Sequence, residues 1–331
     1  MSARSPLAII VPDAAAPTRN GVADVCSRHV SKQNPGAVSV PPWSLAIGAM
    51  LSVQLGSALS VNLISTVGPG GTAWLRLTVG AVVFMVIARP PLTTLRWRDA
   101  PILLTLGVTT GLQTMTFLAA IEHIPLGTSV AIEFLGPMTV AAVHSQGRRA
   151  LLWVGAAGFG VVLVTQPWRG NVSIAGVGYA GLAAVGWAAY IVLTQRVGDR
   201  FSGLSGLAFT IPIAACTAAI VGIPQAAGHL TLAVVGTGIG LAILLPVLPY
   251  SFELLALRRM TPTAFGTLMA LEPAIGVVLG ILVLDQTVSG IQVIGILLVV
   301  VAGAAAQSGG SRPPPSVEGD GAQPITGPVP F

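Results

Sequence analysis

The chain has 331 residues, of which 53% are apolar and only 8% are charged, whereas soluble domains carry about 25% charged residues. So few charges cannot cover a soluble globule of this length, and the composition therefore indicates an integral membrane protein. The net charge of +5 does not indicate a nucleic-acid partner, because the basic residues are scattered in ones and twos and form no basic stripe.

Polar, proline- or glycine-rich segments form both ends of the chain. Residues 1–42 and 307–331 show no sustained periodicity and are predicted to be disordered cytoplasmic tails. Between them we predict ten transmembrane helices, because a span needs roughly 20 mostly apolar residues. The predicted spans are residues 43–65, 71–88, 100–120, 125–143, 151–167, 175–195, 203–223, 231–256, 262–283 and 288–306. The predicted fold class is therefore an all-α integral membrane protein.

The positions of the basic residues provide an independent test of this count. If the amino terminus is cytoplasmic, fourteen lysines and arginines fall in the predicted inside regions. The predicted outside loops hold only Arg169, and Arg76 falls within a span. This asymmetry is a strong positive-inside signal. It favours ten spans with both termini in the cytoplasm.

A weak internal repeat relates the two halves of the chain. A shift of 136 residues aligns residues 117–140 with 253–276 without a gap, and Pro137 then matches Pro273. In this register the fourth predicted span matches the ninth, so the repeat unit has five helices. Because five is odd, the two repeats must cross the membrane in opposite senses, as in the inverted repeats of secondary transporters.

Three charged residues are predicted within spans, where each costs about 2.5–3.5 kcal/mol on insertion scales. Glu133 is expected about 12 Å from the outer face and Glu272 about 15 Å from the inner face, while Arg76 is shallower. Small residues share the helix face of each acid, which predicts that both acids point into the protein. Pro137 and Pro273 are expected to kink the two helices within about one turn of their acids.

Each of these residues also has a purely structural interpretation. The two acids can be neutral groups that serve packing, and Arg76 can extend to the outer headgroups. Glu253, near an inner helix end, is expected to pair with the two arginines that follow it. Gln113 is kept as a candidate ligand, whereas Gln54 is interpreted as a bridge between helices. Tyr250 is a candidate for the pathway lining, with interfacial anchoring or packing as the alternative.

An enzymatic function is not predicted. The segment Gly203-Leu204-Ser205-Gly206 resembles an intramembrane serine protease motif, but such a protease needs a histidine base within a neighbouring helix. In the predicted topology none of the four histidines lies at mid-membrane. The sequence also predicts no metal site and no cofactor.

Two stretches resemble a known family. They are IPLGTSVAIEFLGPMTVA at residues 124–141 and LPYSFELLALRRMTPTAFGTLMALEPAIGVVLG at residues 248–280. Both are similar to the EamA branch of the drug/metabolite transporter superfamily, and more narrowly to bacterial threonine/homoserine exporters. The second stretch is the more specific one, especially Pro249-Tyr250-Ser251 and Leu271-Glu272-Pro273. The resemblance covers about residues 43–306, so both tails fall outside it.

The resemblance implies a ten-helix exporter in the bacterial inner membrane, driven by the proton gradient and without a cofactor. Residues 43–167 would form the first EamA-like repeat and residues 175–306 the second. The implied substrate is an amino acid such as threonine or homoserine, and export of drugs or toxic metabolites is the alternative. The expected partners are this small molecule, the lipid bilayer and a possible homodimer, but no nucleic acid.

The buried acids and the repeat together predict a mechanism. A zwitterionic substrate would bind between the two halves, with its ammonium group near Glu272 or Glu133. Its carboxylate would bind Arg76 or a free backbone N–H at a broken helix. A carboxyl group in a low-dielectric environment favours its neutral form. A proton and the substrate ammonium can therefore compete for the same site, and this competition is the minimal requirement for antiport.

Overall fold

The described part of the protein is entirely helical in its regular structure. A computed structural model describes residues 41–90, 95–144, 148–169, 172–198, 201, 205–257 and 259–308. Within these residues eight helical segments are long and apolar enough to cross a membrane, and residues 290–306 form a shorter apolar helix. The all-α prediction is confirmed. The predicted tails lie outside the described residues, except that Pro42 begins the first described helix and Gln307 and Ser308 end the last.

The described residues form twelve α-helices, most of them joined by short connections. They are α1 (Pro42–Ala88), α2 (Ala100–His123), α3 (Leu126–Glu133), α4 (Leu135–His144), α5 (Arg148–Thr165), α6 (Ile174–Gly198), α7 (Ser205–Ala226), α8 (Leu232–Ala242), α9 (Leu248–Leu257), α10 (Pro262–Met269), α11 (Glu272–Leu284) and α12 (Gly290–Ser308). A π-helical stretch, Ile243–Val247, joins α8 to α9.

Helix α1 is interrupted at Gly68, where the backbone turns away from helical geometry. Its 47 residues would extend about 70 Å if straight, more than twice the roughly 30 Å hydrocarbon core. Gly68 has φ 74° and ψ 169°, a conformation that L side chains rarely adopt. The helix resumes at Pro69, and Gln225 Oε1 accepts hydrogen bonds from the Gly70 and Gly71 amides at 2.8 and 3.3 Å. A side chain of α7 thus satisfies amides that have no partner within the restarting helix.

The helical hydrogen bonding is interrupted next to each buried acid. Helix α3 ends at Glu133 and α4 begins after Phe134, while α10 ends at Met269 and α11 begins at Glu272. Phe134, Ala270 and Leu271 keep right-handed helical φ and ψ, so the chain continues in the same direction and each pair forms one apolar span. Pro137 and Pro273 lie in the first turns of α4 and α11, where the missing N–H of a proline is tolerated. The kinks predicted at these two prolines stay a prediction, and each acid lies beside an interruption.

Close helix packing relies on glycine at several crossings. Helix α1 packs most extensively against α7, α2 against α6, and α5 against α12. At the last of these crossings, a Cβ on Gly160 would lie 2.7 Å from the Gly295 carbonyl oxygen, and a Cβ on Gly295 would lie 2.7 Å from that of Gly160. Such distances are too short for real Cβ contacts. The two backbones can approach this closely only because both residues are glycine.

Replacing Gly127 by alanine is expected to destabilise the protein. A Cβ there would overlap the Val277 side chain and lie 2.9 Å from the Val277 Cα, so α3 and α11 would have to separate. Overpacking of this kind costs about 1–3 kcal/mol. The matched control is Gly178→Ala in α6, where a Cβ would meet nothing within 4 Å. Thermal unfolding in detergent should show a lower midpoint for Gly127→Ala alone, and equal midpoints would contradict this packing.

Candidate functional site

Each buried acid is held by one glutamine from another helix. Gln113 Nε2 of α2 donates to Glu133 Oε1 at 3.2 Å, and Gln54 Nε2 of α1 donates to Glu272 Oε1 at 3.3 Å. Glu133 is 8% exposed and Glu272 is 4% exposed. Both acids therefore point into the protein, as their helix faces predict. The structure brings Gln113 to Glu133 and gives Gln54 the same relation to Glu272.

The helices carrying the two acids pack against each other. Helix α3 contacts α11, and α11 also contacts α1, the helix of Gln54. At this junction a Cβ on Gly276 would lie 3.2 Å from Val130 Cγ2 and 3.5 Å from Gln54 Oε1. The small residue at position 276 thus lets the three helices meet beside Gln54 and Glu272.

A third acid, Glu253 of α9, belongs to the same interior. Its carboxyl group interacts electrostatically with that of Glu272, as does the carboxyl group of Glu133. The sequence predicts instead that Glu253 pairs with the two arginines that follow it. Arg259 forms no ion pair with Glu253 within the part of the chain that the structure describes, and Arg258 lies outside that part. Glu272 is thus the acid that interacts with both of the others.

Two tyrosines lie next to Glu253. The hydroxyl oxygens of Tyr190 in α6 and Tyr250 in α9 are 3.5 Å apart, and both hydroxyls interact electrostatically with Glu253. The Tyr250 ring packs edge-on against Phe84 at a centroid distance of 5.8 Å. Tyr250 therefore packs inside the bundle beside Tyr190 and Phe84, and its place on a substrate pathway stays a prediction.

Arg76 is buried in α1, at a site separate from the hydrogen bonds of the acids. Its side chain is 3% exposed, and Nη1 donates to Ser60 Oγ at 3.0 Å. This burial contradicts the alternative in which Arg76 extends to the headgroups. In the described ranges no hydrogen bond or ion pair joins Arg76 to Glu133 or Glu272. The predicted site residues therefore form two groups, one around the acids and one around Arg76.

Some buried polar atoms near these groups have no hydrogen-bond partner in the described residues. They include Gln54 Oε1, Glu272 Oε2 and Arg76 Nε. An unsatisfied buried polar atom costs about 1–3 kcal/mol, so these atoms mark places where a ligand group would be stabilised. The bond from Gln54 to Glu272 confirms the interpretation of Gln54 as a bridge between helices, and its free oxygen has no counterpart in the sequence pattern, because an isolated amide in an apolar helix has no local feature that distinguishes a ligand from a structural bridge.

Comparison with known proteins assigns this arrangement to a family. Residues 174–305 match the EamA-like transporter family. The threonine/homoserine exporter RhtA of Salmonella typhimurium (strain SL1344) is 32% identical over 273 residues, which cover 79% of this chain and 91% of the exporter. The protein of the same name from Escherichia coli (strain K12) is 33% identical over 275 residues, with the same coverage. The chain belongs to the EamA-like transporter family.

Two further similarities are consistent with this assignment. Protein PecM of Dickeya dadantii (strain 3937) is 26% identical over 205 residues, covering 56% of this chain and 65% of PecM. A crystal structure of a protein with 19% identity aligns with 80% of this chain and 97% of its own chain, with a TM-score of 0.54. At that identity the match supports the fold alone. Family membership and the apolar helices together identify a multi-pass membrane transporter rather than an enzyme.

The bond between Ser60 and Arg76 is expected to stabilise the EamA-like fold measurably. Ser60→Ala leaves a buried guanidinium without its only side-chain partner in the described residues, and a hydrogen bond to a charged group is worth about 1.5–3 kcal/mol. The matched control is Ser57→Ala, which removes an equally buried hydroxyl bonded only within its own helix. Denaturation in detergent should show a larger decrease in the free energy of unfolding for Ser60→Ala than for Ser57→Ala. Equal decreases would show that the bond to Arg76 contributes nothing to stability.

Proposed function

We propose that this transporter exports an amino acid such as threonine or homoserine in exchange for protons, by alternating access. The observation that carries the proposal is the pair of buried acids, each bound by one glutamine, inside a member of the EamA-like transporter family. The relatives named threonine/homoserine exporters are covered over 91% of their length. The names of these relatives are the basis for the proposed substrate class.

The proposed topology has ten crossings arranged as two inverted repeats of five. The interruption at Gly68 leaves residues 42–67 and 69–88, and each part is long enough for one crossing. The broken pairs α3–α4 and α10–α11 would each make a single crossing. The interruptions at Phe134 and Ala270 lie 136 residues apart. This spacing equals the shift that aligns the two sequence repeats. This agreement supports the repeat, and the charge distribution favours both termini in the cytoplasm of a bacterial inner membrane.

The acids provide the proposed coupling between proton and substrate. A carboxyl group in this interior can be neutral with a bound proton or ionised with a bound ammonium group, but it cannot hold both. When the site faces outward, proton binding would displace the substrate. When it faces inward, proton loss would restore the charge that attracts the next substrate. No further energy source is required for such an exchange.

The substrate carboxylate is proposed to bind Arg76 or a backbone amide at a helix break. The guanidinium group carries five N–H donors in a planar fork that suits a carboxylate. Ser60 accepts from Nη1, whereas Arg76 Nε is buried without a partner in the described residues. A substrate with charges at both ends would link Arg76 to an acid, between which the described residues form no direct side-chain hydrogen bond.

Replacing an acid by glutamine should uncouple transport from protons. Glu272→Gln and Glu133→Gln keep the size of the side chain but make the group permanently neutral. In proteoliposomes, threonine movement driven by a pH gradient should fall at least about tenfold in each variant, since one lost charge–charge contact of this kind exceeds about 1.4 kcal/mol. The measurement is radiolabelled threonine flux with and without the gradient.

The matched control is Glu122→Gln, because Glu122 is exposed and, within the described residues, its ion pair is with the neighbouring His123. Its flux should equal that of the unchanged protein. Counterflow of a panel of amino acids in the same vesicles tests the substrate class and separates a carrier from a channel, since only a carrier shows accelerated exchange. Normal gradient-driven flux in both acid variants would contradict the coupling mechanism. Counterflow of drugs but not amino acids would favour a drug exporter.

A further inference from the structure

The amide of Gln54 and the carboxyl group of Glu272 together present two unused acceptors. Gln54 Nε2 donates to Glu272 Oε1 at 3.3 Å, which leaves Gln54 Oε1 and Glu272 Oε2 buried and without a donor in the described residues. The two side chains are only 2% and 4% exposed. In the substrate-binding state, in which Glu272 is ionised, the carboxylate can only accept, so the amide nitrogen of Gln54 donates to it and Oε1 is the atom left free.

This arrangement fits a ligand group that carries at least two N–H donors and a positive charge. The two side chains that carry these oxygens are joined by one hydrogen bond, and one of the two oxygens belongs to a carboxyl group. A hydroxyl group has a single donor and would satisfy one oxygen, whereas a primary ammonium group has three donors. A hard metal ion takes six or more oxygen ligands, and the described residues contain no cluster suited to a metal.

We propose that Gln54 is a specificity-determining residue, whose Oε1 and the neighbouring Glu272 Oε2 each accept one N–H from the primary ammonium group of the substrate. The inference rests on the proposed export of amino acids and deepens it, because it assigns the ammonium group to Glu272 rather than to Glu133. Gln54 then has two functions. Its nitrogen donates to the carboxyl group and orients it, and its oxygen accepts a second N–H from the substrate amine, so that amines with fewer N–H groups bind less tightly.

The pair Gln113–Glu133 differs from this site because it has no free buried acceptors among the described residues. Gln113 also donates to its acid, at 3.2 Å, but neither side chain contributes a buried atom without a partner in the described part of the chain. Gly276 has no side chain, and a Cβ there would be in van der Waals contact with Gln54 Oε1, at 3.5 Å, so a larger residue at this position would cover the acceptor. The amine is therefore assigned to Glu272, where it competes with a proton for the same carboxyl group.

The inference predicts that Gln54 determines how strongly the transporter rejects amines with fewer N–H groups. The full-length protein in proteoliposomes would be assayed for inhibition of threonine counterflow by threonine, N-methylthreonine and N,N-dimethylthreonine. The dimethyl compound has one N–H and cannot satisfy both oxygens. The unchanged protein should therefore discriminate strongly against it. Gln54→Met, which keeps the length and removes the acceptor, should reduce that discrimination about tenfold, the usual effect of one hydrogen bond to a charged group.

The matched control is Gln113→Met, which removes the equivalent amide from Glu133 and should leave the ratio of inhibition constants unchanged. If Gln54 served packing alone, its replacement would weaken inhibition by all three compounds equally. An unchanged ratio of their inhibition constants in Gln54→Met would therefore overturn the inference. If Gln54→Met does not fold, Gln54→Asn, which withdraws the oxygen and keeps an amide, should reduce the ratio in the same direction. Absence of amino acid transport by the unchanged protein would instead overturn the proposed function, and this inference with it.

Discussion

Carboxyl groups held away from water among apolar helices are the constraint on which the rest of this structure depends. Each buried acid requires a donor, and each of the two deepest acids receives one from a glutamine on another helix. Each also lies at a helix end, where proline in the following turn leaves a backbone carbonyl without its usual partner. The helices of the bundle are thus interrupted beside the buried acids, as expected for polar groups within a membrane protein.

The remainder of the bundle holds these polar groups in place by close backbone contact. Glycine at the α5–α12 and α3–α11 crossings brings the helices nearer than any side chain would allow. Glutamines of the second half also satisfy helix starts of the first half, since Gln225 binds the amides of Gly70 and Gly71 and Gln286 binds that of Leu126. Close glycine packing and side-chain caps together join the two halves, which a carrier must move relative to one another.

Much of the helical framework could be predicted from the sequence, because apolar length and charge placement act locally. The acids and Pro137 and Pro273 were identified for the same reason. The interruptions at Phe134 and Ala270 were located only to within about one turn, because a proline shows where a hydrogen bond is missing and not which residue loses helical pairing. Gln54 was interpreted correctly as a bridge between helices, but the sequence could not identify its partner, which lies 218 residues away. The electrostatic interaction of Glu253 with Glu272 was not predicted, since proximity in sequence gives no information about contacts across the bundle.

The central claim is that a proton and a substrate amine compete for buried carboxyl groups. The most direct test is to add threonine to the purified protein in weakly buffered detergent solution and to follow pH with an indicator dye while binding is measured in parallel. The account predicts that protons are released as threonine binds and that the release saturates together with binding. Threonine binding without any proton release would contradict it.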